Sequence, residues 1–339
     1  MRTVALSLFY LFWPAGAGAQ VVPSSDKLEE STRRALVFLK NMQEKDGCWT
    51  YVNEKSHGIT SLAVMAFLSA GHVPGEGPYK ATVDKGIAWV LANQQPSGLL
   101  AANGGHEMYQ HGISTLMFAE VFGMTDPARA RELKPKLEKA VQVILRAQKT
   151  TPTPHRGGWR YTVDSHDADM SVTGWQLLAL RAAKNVGCDV PGERIDMAVE
   201  YVQRCRDSSS GGFCYTPFGG ATVPCTGTGI LALEICGKER HHSREALQAG
   251  TYLLKHPVAW NDGYFFYGVY YSSQAMFQLG NNYWNAYRPQ LHKVLFDNQQ
   301  ANGSWIGQSE GYSPSYATAM AVLALTVEYR FLPIYQRQE

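Results

Sequence analysis

Six times along the 339-residue chain a glycine precedes a bulky residue in a short turn: Gly47-Cys48-Trp49, Gly98-Leu99-Leu100, Gly158-Trp159-Arg160, Gly212-Phe213-Cys214, Gly263-Tyr264-Phe265 and Gly303-Ser304-Trp305. A period of roughly 20–50 residues marks an array of supersecondary units, each of which buries its apolar face only by stacking on its neighbours. Before each turn the apolar residues recur at helical spacing with Lys, Arg and Glu opposite, over 26–45, 80–95, 133–149, 192–206, 243–256 and 285–300. Helices of that kind cover an exterior. After each turn a second helical stretch, 58–71, 112–123, 171–187, 225–237, 270–280 and 314–330, is apolar nearly all round, as in "TSLAVMAFLSAG", and belongs inside.

Aligned on their apolar cores, the inner stretches place Thr60, Ser114, Thr173, Thr226, Ser272 and Thr318 in one column near each helix start, where a hydroxyl serves as a cap or first-turn donor. Six hairpins with apolar inner members close most simply into a ring. The expected fold is all-α, an (α/α)6 toroid with all inner N-termini at one end of a central cavity; an open solenoid is the alternative.

Residues 1–19 carry one Arg, an apolar run from Val4 to Trp13 and Ala17-Gly18-Ala19. This pattern reads as a secretory signal peptide cut after Ala19, leaving 20–339 as one domain in a secreted or periplasmic setting. The apolar run is shorter than the roughly 20 residues a membrane span needs, and no transmembrane segment is expected in the mature chain. A net charge of +2 gives no nucleic-acid footprint. Export permits disulfides. The turn between Cys205 and Cys214 can bring that pair together, whereas Cys225 and Cys236 lie about 16 Å apart along one helix, beyond bridging distance; the other thiols read as buried and free.

The turns carry a further signature. Gln43 precedes Trp49 at the same spacing as Gln299 precedes Trp305, and Gln94 precedes Leu100 likewise. These resemble the QW repeats of the terpenoid cyclase and protein prenyltransferase superfamily, and six copies spread the resemblance over the mature chain. "DADMS", Asp167 to Ser171, is similar to the acidic motif of class II cyclases such as squalene–hopene cyclase. The resemblance implies that Asp169 is the general acid that protonates an alkene or epoxide, that Asp167 is its partner, and that Ser171 is the motif hydroxyl; Met170 stands where that family has an acid. It also implies an apolar or isoprenoid-like small molecule in the central cavity. Squalene-type cyclases resemble two such toroids, and this chain has one.

From the residues themselves, three acids, Asp164, Asp167 and Asp169, cluster ahead of the third inner helix, more than dipole complementation requires. Trp175, Tyr270, Tyr271 and Tyr316 fall at inner-helix starts, where ring faces can stabilise a cation or stack on a sugar. Tyr312 and Tyr161 are further aromatics near the cavity ends. His57 and His111 align with Met170, three residues before the hydroxyl column, and can converge with Asp167 and Asp169 on one rim as ligand-binding residues. His57, His111 and Asp169 are the one set suited to a first-row metal; no metal or cofactor is expected otherwise. His241-His242 reads as a solvated loop. Three functions remain open on these grounds: a cyclase-like enzyme, an exported polysaccharide-active toroid using paired carboxylates, and a non-catalytic binding or scaffold domain.

Overall fold

The computed structural model describes residues 26–336 apart from 103, 105, 238 and 308–312. The signal-peptide stretch and Tyr312 lie outside the described residues. Among the described residues twelve α-helices alternate between two layers. The outer members are α1 (Asp26–Asn41), α3 (Lys80–Ala92), α5 (Pro127–Ala147), α7 (Gly192–Arg204), α9 (Arg244–Lys255) and α11 (Asn281–Asn298). The inner members are α2 (His57–Ser69), α4 (Glu107–Met124), α6 (Met170–Asn185), α8 (Val223–Cys236), α10 (Phe265–Gln278) and α12 (Pro314–Leu325). Each inner helix packs on the next, and α12 packs on α2, so the ring closes and the open solenoid is excluded. Every residue of α2 is buried, whereas α1 buries a single stripe.

Glycine sets the width of the ring. A Cβ on Gly112 would fall 2.3 Å from Gln176 Nε2, and one on Gly227 would fall 2.7 Å from the backbone nitrogen of Ser272. Neighbouring inner helices approach to where only a hydrogen fits.

The repeat signature is a staple. Gln43 Nε2 donates to Gly47 O and to Thr82 O in the first turn of the following outer helix, both at 2.9 Å. Gln94, Gln148 and Gln299 likewise each hold their turn glycine's carbonyl and one carbonyl of the next outer helix, Lys136 O, Arg194 O and Ser31 O. The indole N–H groups of Trp49, Trp159 and Trp305 each donate at 2.8 Å to a carbonyl of the preceding outer helix, which lets a large ring be buried without an orphaned donor. Gln148 escaped the sequence pattern because the "TPTPH" insertion separates it from Trp159. The turn glycine lies two residues before the bulky ring in every such repeat, so in repeats 3 and 4 it is Gly157 and Gly211, one residue earlier than the sequence register. At Gly47 and Gly303 φ is +103° and +91°, and a Cβ would strike the backbone of Lys85 and Arg34.

The hydroxyl column has a different task from the one expected. Ser56, Asp169, Thr222 and Ser313 cap the helices. Thr60, Thr173, Thr226 and Thr318 sit a turn further in and accept the backbone N–H of Trp49, Trp159, Phe213 and Trp305. In repeat 2 that acceptor is His111 Nδ1, which takes the N–H of Leu100 at 3.0 Å. His111, not Ser114, belongs to the column. Two short antiparallel ribbons unforeseen in the sequence lead into inner helices: β1 (Trp49–Tyr51) with β2 (Glu54–Ser56), and β3 (Phe213–Cys214) with β4 (Ala221–Thr222).

The end of the ring where the inner helices finish is sealed by the chain's own tail. Phe331 fills the space over Gly71 and Pro333 that over Gly123. The N–H of Ile334 donates to Glu120 Oε2 at 3.2 Å, and Gln278 Nε2 donates to Tyr335 O. The Tyr335 hydroxyl reaches inward to that of Tyr270. All six cysteines are buried and free, the Cys205–Cys214 pair included, although the N–H of Cys214 donates to Cys205 O at 2.7 Å. Among the described residues no helix is long and apolar enough to cross a membrane.

Candidate functional site

Asp169 enters the site through its backbone. Its N–H donates to Trp159 O at 3.0 Å, pinning it beside the third repeat's turn, and its carbonyl receives the N–H of Thr173 as α6 begins. The carboxyl is wholly buried. Oδ1 accepts from the N–H of Val172 at 3.0 Å and from the hydroxyl of Ser171 at 2.6 Å. Oδ2 lies 3.1 Å from Arg160 Nε. Burial raises the carboxyl above its ordinary range; Ser171, the Val172 amide, Arg160 and Tyr215 each pull it back without reversing the shift.

A relay runs from that acid towards the rim. Ser171 spends its one hydroxyl hydrogen on Asp169, so in its contact with Tyr109 it accepts, and the Tyr109 hydroxyl donates. Tyr109 is half-buried in the first turn of α4 and stacks on Tyr161, with ring centroids 5.8 Å apart. The hydroxyls of Tyr161 and Tyr215 meet, and the guanidinium of Arg160 lies over both rings, 4.8 Å from one centroid and 5.6 Å from the other. Burial and the nearby Asp169 push the Tyr215 phenol upward.

The two acids of the sequence motif do not share a proton. Arg160 takes Asp167 Oδ2 on Nη1 at 2.7 Å and Asp169 on Nε, so a cation stands where a carboxyl pair was expected. Asp167 is half-exposed and anchors Arg160; Asp164 is exposed. Burial, not Asp167, is the largest cause of the upward shift at Asp169. Met170 is fully buried, and its N–H donates to Tyr215 O.

The other candidates divide. Trp175, Tyr270 and Tyr271 come together deep in the ring: Trp175 stacks on Tyr270 at 5.1 Å and meets Tyr271 edge-on at 5.3 Å. Tyr267 continues the array towards the rim, 4.7 Å from Tyr271, with its hydroxyl on Thr228. Tyr316 is half-buried in the first turn of α12. His57 and His111 do not join Asp169. Both nitrogens of His111 are engaged, Nδ1 by Leu100 and Nε2 by Ala140 O on α5. His57 faces the outer layer, with Nε2 3.0 Å from Asn93 O and its ring against Trp89. The proposed ligand set of His57, His111 and Asp169 is therefore not assembled.

Tyr109, Arg160 and Tyr215 were absent from the sequence reading of the site. Arg160 alone had a local signal, as the residue after the stapled Trp159 and hence opposite the buried acid. At the sealed end Glu120 is a second fully buried carboxyl, pushed by burial to about 8.

Residues 75–266 match the prenyltransferase alpha-alpha toroid domain family. Among solved structures, the GH76A alpha-1,6-mannanase from Salegentibacter sp. HEL1_6 is similar at 11% identity and a TM-score of 0.66, over 90% of this chain and 99% of that one. The type II terpene cyclase MstE from Scytonema is similar at 13% identity and a TM-score of 0.62, over 92% and 100%. A D-mannose isomerase follows at 14% and 0.63, over 89% and 97%. No curated protein matches by sequence. At these identities the likenesses establish the fold alone.

Proposed function

Because this chain belongs to the prenyltransferase alpha-alpha toroid domain family, we propose that it binds an apolar, isoprenoid-like ligand at the rim where its inner helices begin, with Asp169 as proton donor. The observation that carries this reading is a wholly buried carboxyl whose pKa burial raises, set among the Tyr109, Tyr161 and Tyr215 rings. A buried acid gives up its proton to a base as weak as an alkene only if its conjugate base is stabilised. Arg160, Ser171 and the Val172 amide are the groups in place to do so.

In that chemistry the proton leaves Asp169 for one alkene carbon, a C–H bond forms from the π pair, and positive charge appears on the other carbon. Tyrosine π faces stabilise such a cation by about 0.5–2 kcal/mol each. Tyr109 and Ser171 form the path by which the proton is restored. MstE variants have been captured with geranylgeranyl dihydroxybenzoate and with merosterolic acid A, which supports an isoprenoid as the first ligand to try.

The deciding experiment is turnover of geranylgeranyl-bearing substrates by wild type and Asp169→Asn. Asn keeps the cap on Val172, so its thermal midpoint should stay near wild type. Product formation should vanish. Turnover by Asp169→Asn at the wild-type rate removes the acid from the mechanism.

A second reading, a non-catalytic binding or scaffold domain, draws on the packed interior: Trp175, Tyr270, Tyr271 and Tyr335 fill the ring with one another. Binding of an isoprenoid without any product, unaffected by Asp169→Asn, would favour it. The polysaccharide alternative predicts cleavage of oligosaccharides such as alpha-1,6-mannotriose, which the GH76A mannanase holds.

A further inference from the structure

Glu234 lies in the last turn of α8 with its side chain fully buried. That is a costly place for a carboxylate. The C-terminal end of a helix is the negative end of its dipole, and an ion taken out of water needs a close compensating charge. The loop that follows folds back to supply two imidazoles. His242 holds a left-handed backbone, φ 52°, which a non-glycine residue keeps only when its surroundings fix it. Two bonds do so: its N–H donates to Glu234 Oε1 at 2.8 Å, and its Nε2 lies 3.0 Å from Leu279 O at the end of α10. A carbonyl only accepts, so Nε2 carries a hydrogen, and in the neutral imidazole Nδ1 then offers its lone pair. Metal-binding imidazoles are oriented in this way, with the far N–H on a backbone carbonyl. His241 Nδ1 meets Glu234 Oε2, and the two imidazole centroids are 4.0 Å apart.

We propose that Glu234, His241 and His242 form a binding site for a first-row divalent metal ion, zinc above all. One donor atom from each lies within 4.8 Å of the others, and no other His, Cys, Asp or Glu triad among the described residues is so gathered. Two imidazoles and one carboxylate are a zinc set, with a fourth position for water. Tetrahedral zinc holds its ligand atoms about 3.3 Å apart. His241 is 43% exposed and has room to close the remaining gap. The bound ion neutralises the buried carboxylate and ties the end of α8 to its loop and, through His242, to the end of α10.

The test uses the full chain stripped with EDTA and titrated with ZnCl2 by calorimetry, with zinc per chain counted by mass spectrometry. Wild type should bind one zinc ion and melt at a higher temperature when loaded. His241→Ala, at an exposed position, should fold normally and bind at least tenfold more weakly. Glu234→Gln should also lose the site, and if it fails to fold His241→Ala decides alone. No zinc bound by wild type, or equal affinity in His241→Ala, overturns the proposal.

Discussion

Gln299 Nε2 donates to Ser31 O at 2.9 Å across 268 positions of sequence, and that bond joins the last outer helix to the first. The same side-chain amide also holds Gly303 O. Replacing it with Ala removes both bonds; Ser31 O keeps its intrahelical partner in α1, so each lost bond should cost about 0.5–1.5 kcal/mol. Gln299→Ala should lower the urea midpoint, and Gln94→Ala, which cuts the same two bonds inside the array, should lower it similarly. An unchanged midpoint for either would show that the staple adds nothing to packing.

Ring width is tested at Gly227. Ala has the better helix propensity by about 1 kcal/mol, but its Cβ would press to 2.7 Å on the backbone of α10, and overpacking costs about 1–3 kcal/mol. Gly227→Ala should be net destabilising by chemical denaturation. Gly104→Ala is the neutral control, because a methyl there would meet nothing within 4 Å.

Glu120 makes stability depend on pH. Its folded pKa, about 8, stands above its ordinary value of 4.5, so between those values the folded state binds more protons than the unfolded one. Stability contributed by the neutral acid is present at low pH and is lost as pH rises from 4.5 through 8, at up to about 1.4 kcal/mol per pH unit. Denaturation midpoints measured across that window should fall for wild type. Glu120→Gln, whose carbonyl still accepts the Ile334 N–H, should flatten the slope.

Thiol counting tests the cysteines. Burial pushes Cys48, Cys205, Cys225 and Cys236 to about 12 and Cys188 to about 11, leaving almost no thiolate at neutral pH. Ellman's reagent should find none of these five in the native protein and all six thiols in denaturant. Four in denaturant would reveal the Cys205–Cys214 bridge that the sequence allowed.

The layers of this fold were legible because helical period and burial are both written locally: "TSLAVMAFLSAG" has no polar face and "TRRALVFLKNMQ" has one. The register was less so. His111 performs a threonine's task because an imidazole nitrogen also accepts a hydrogen bond, an equivalence of geometry that residue type conceals. Asp169 stood out as part of a cluster unique to one repeat. The rest of its surroundings did not, because Tyr109 and Tyr215 come from the two neighbouring repeats and reach Asp169 and Arg160 only when the hairpins stack. Glu120 and Glu234 are lone acids within stretches whose apolar character puts them inside, so their burial follows from the layer pattern, while the partners that meet them do not.

Twelve helices alone would build a tube, and the short tail from Phe331 to Tyr335 makes it a cup. A cup has one mouth. For the ligand proposed above, arrival and departure would share that one mouth, past the hydroxyl of Tyr109.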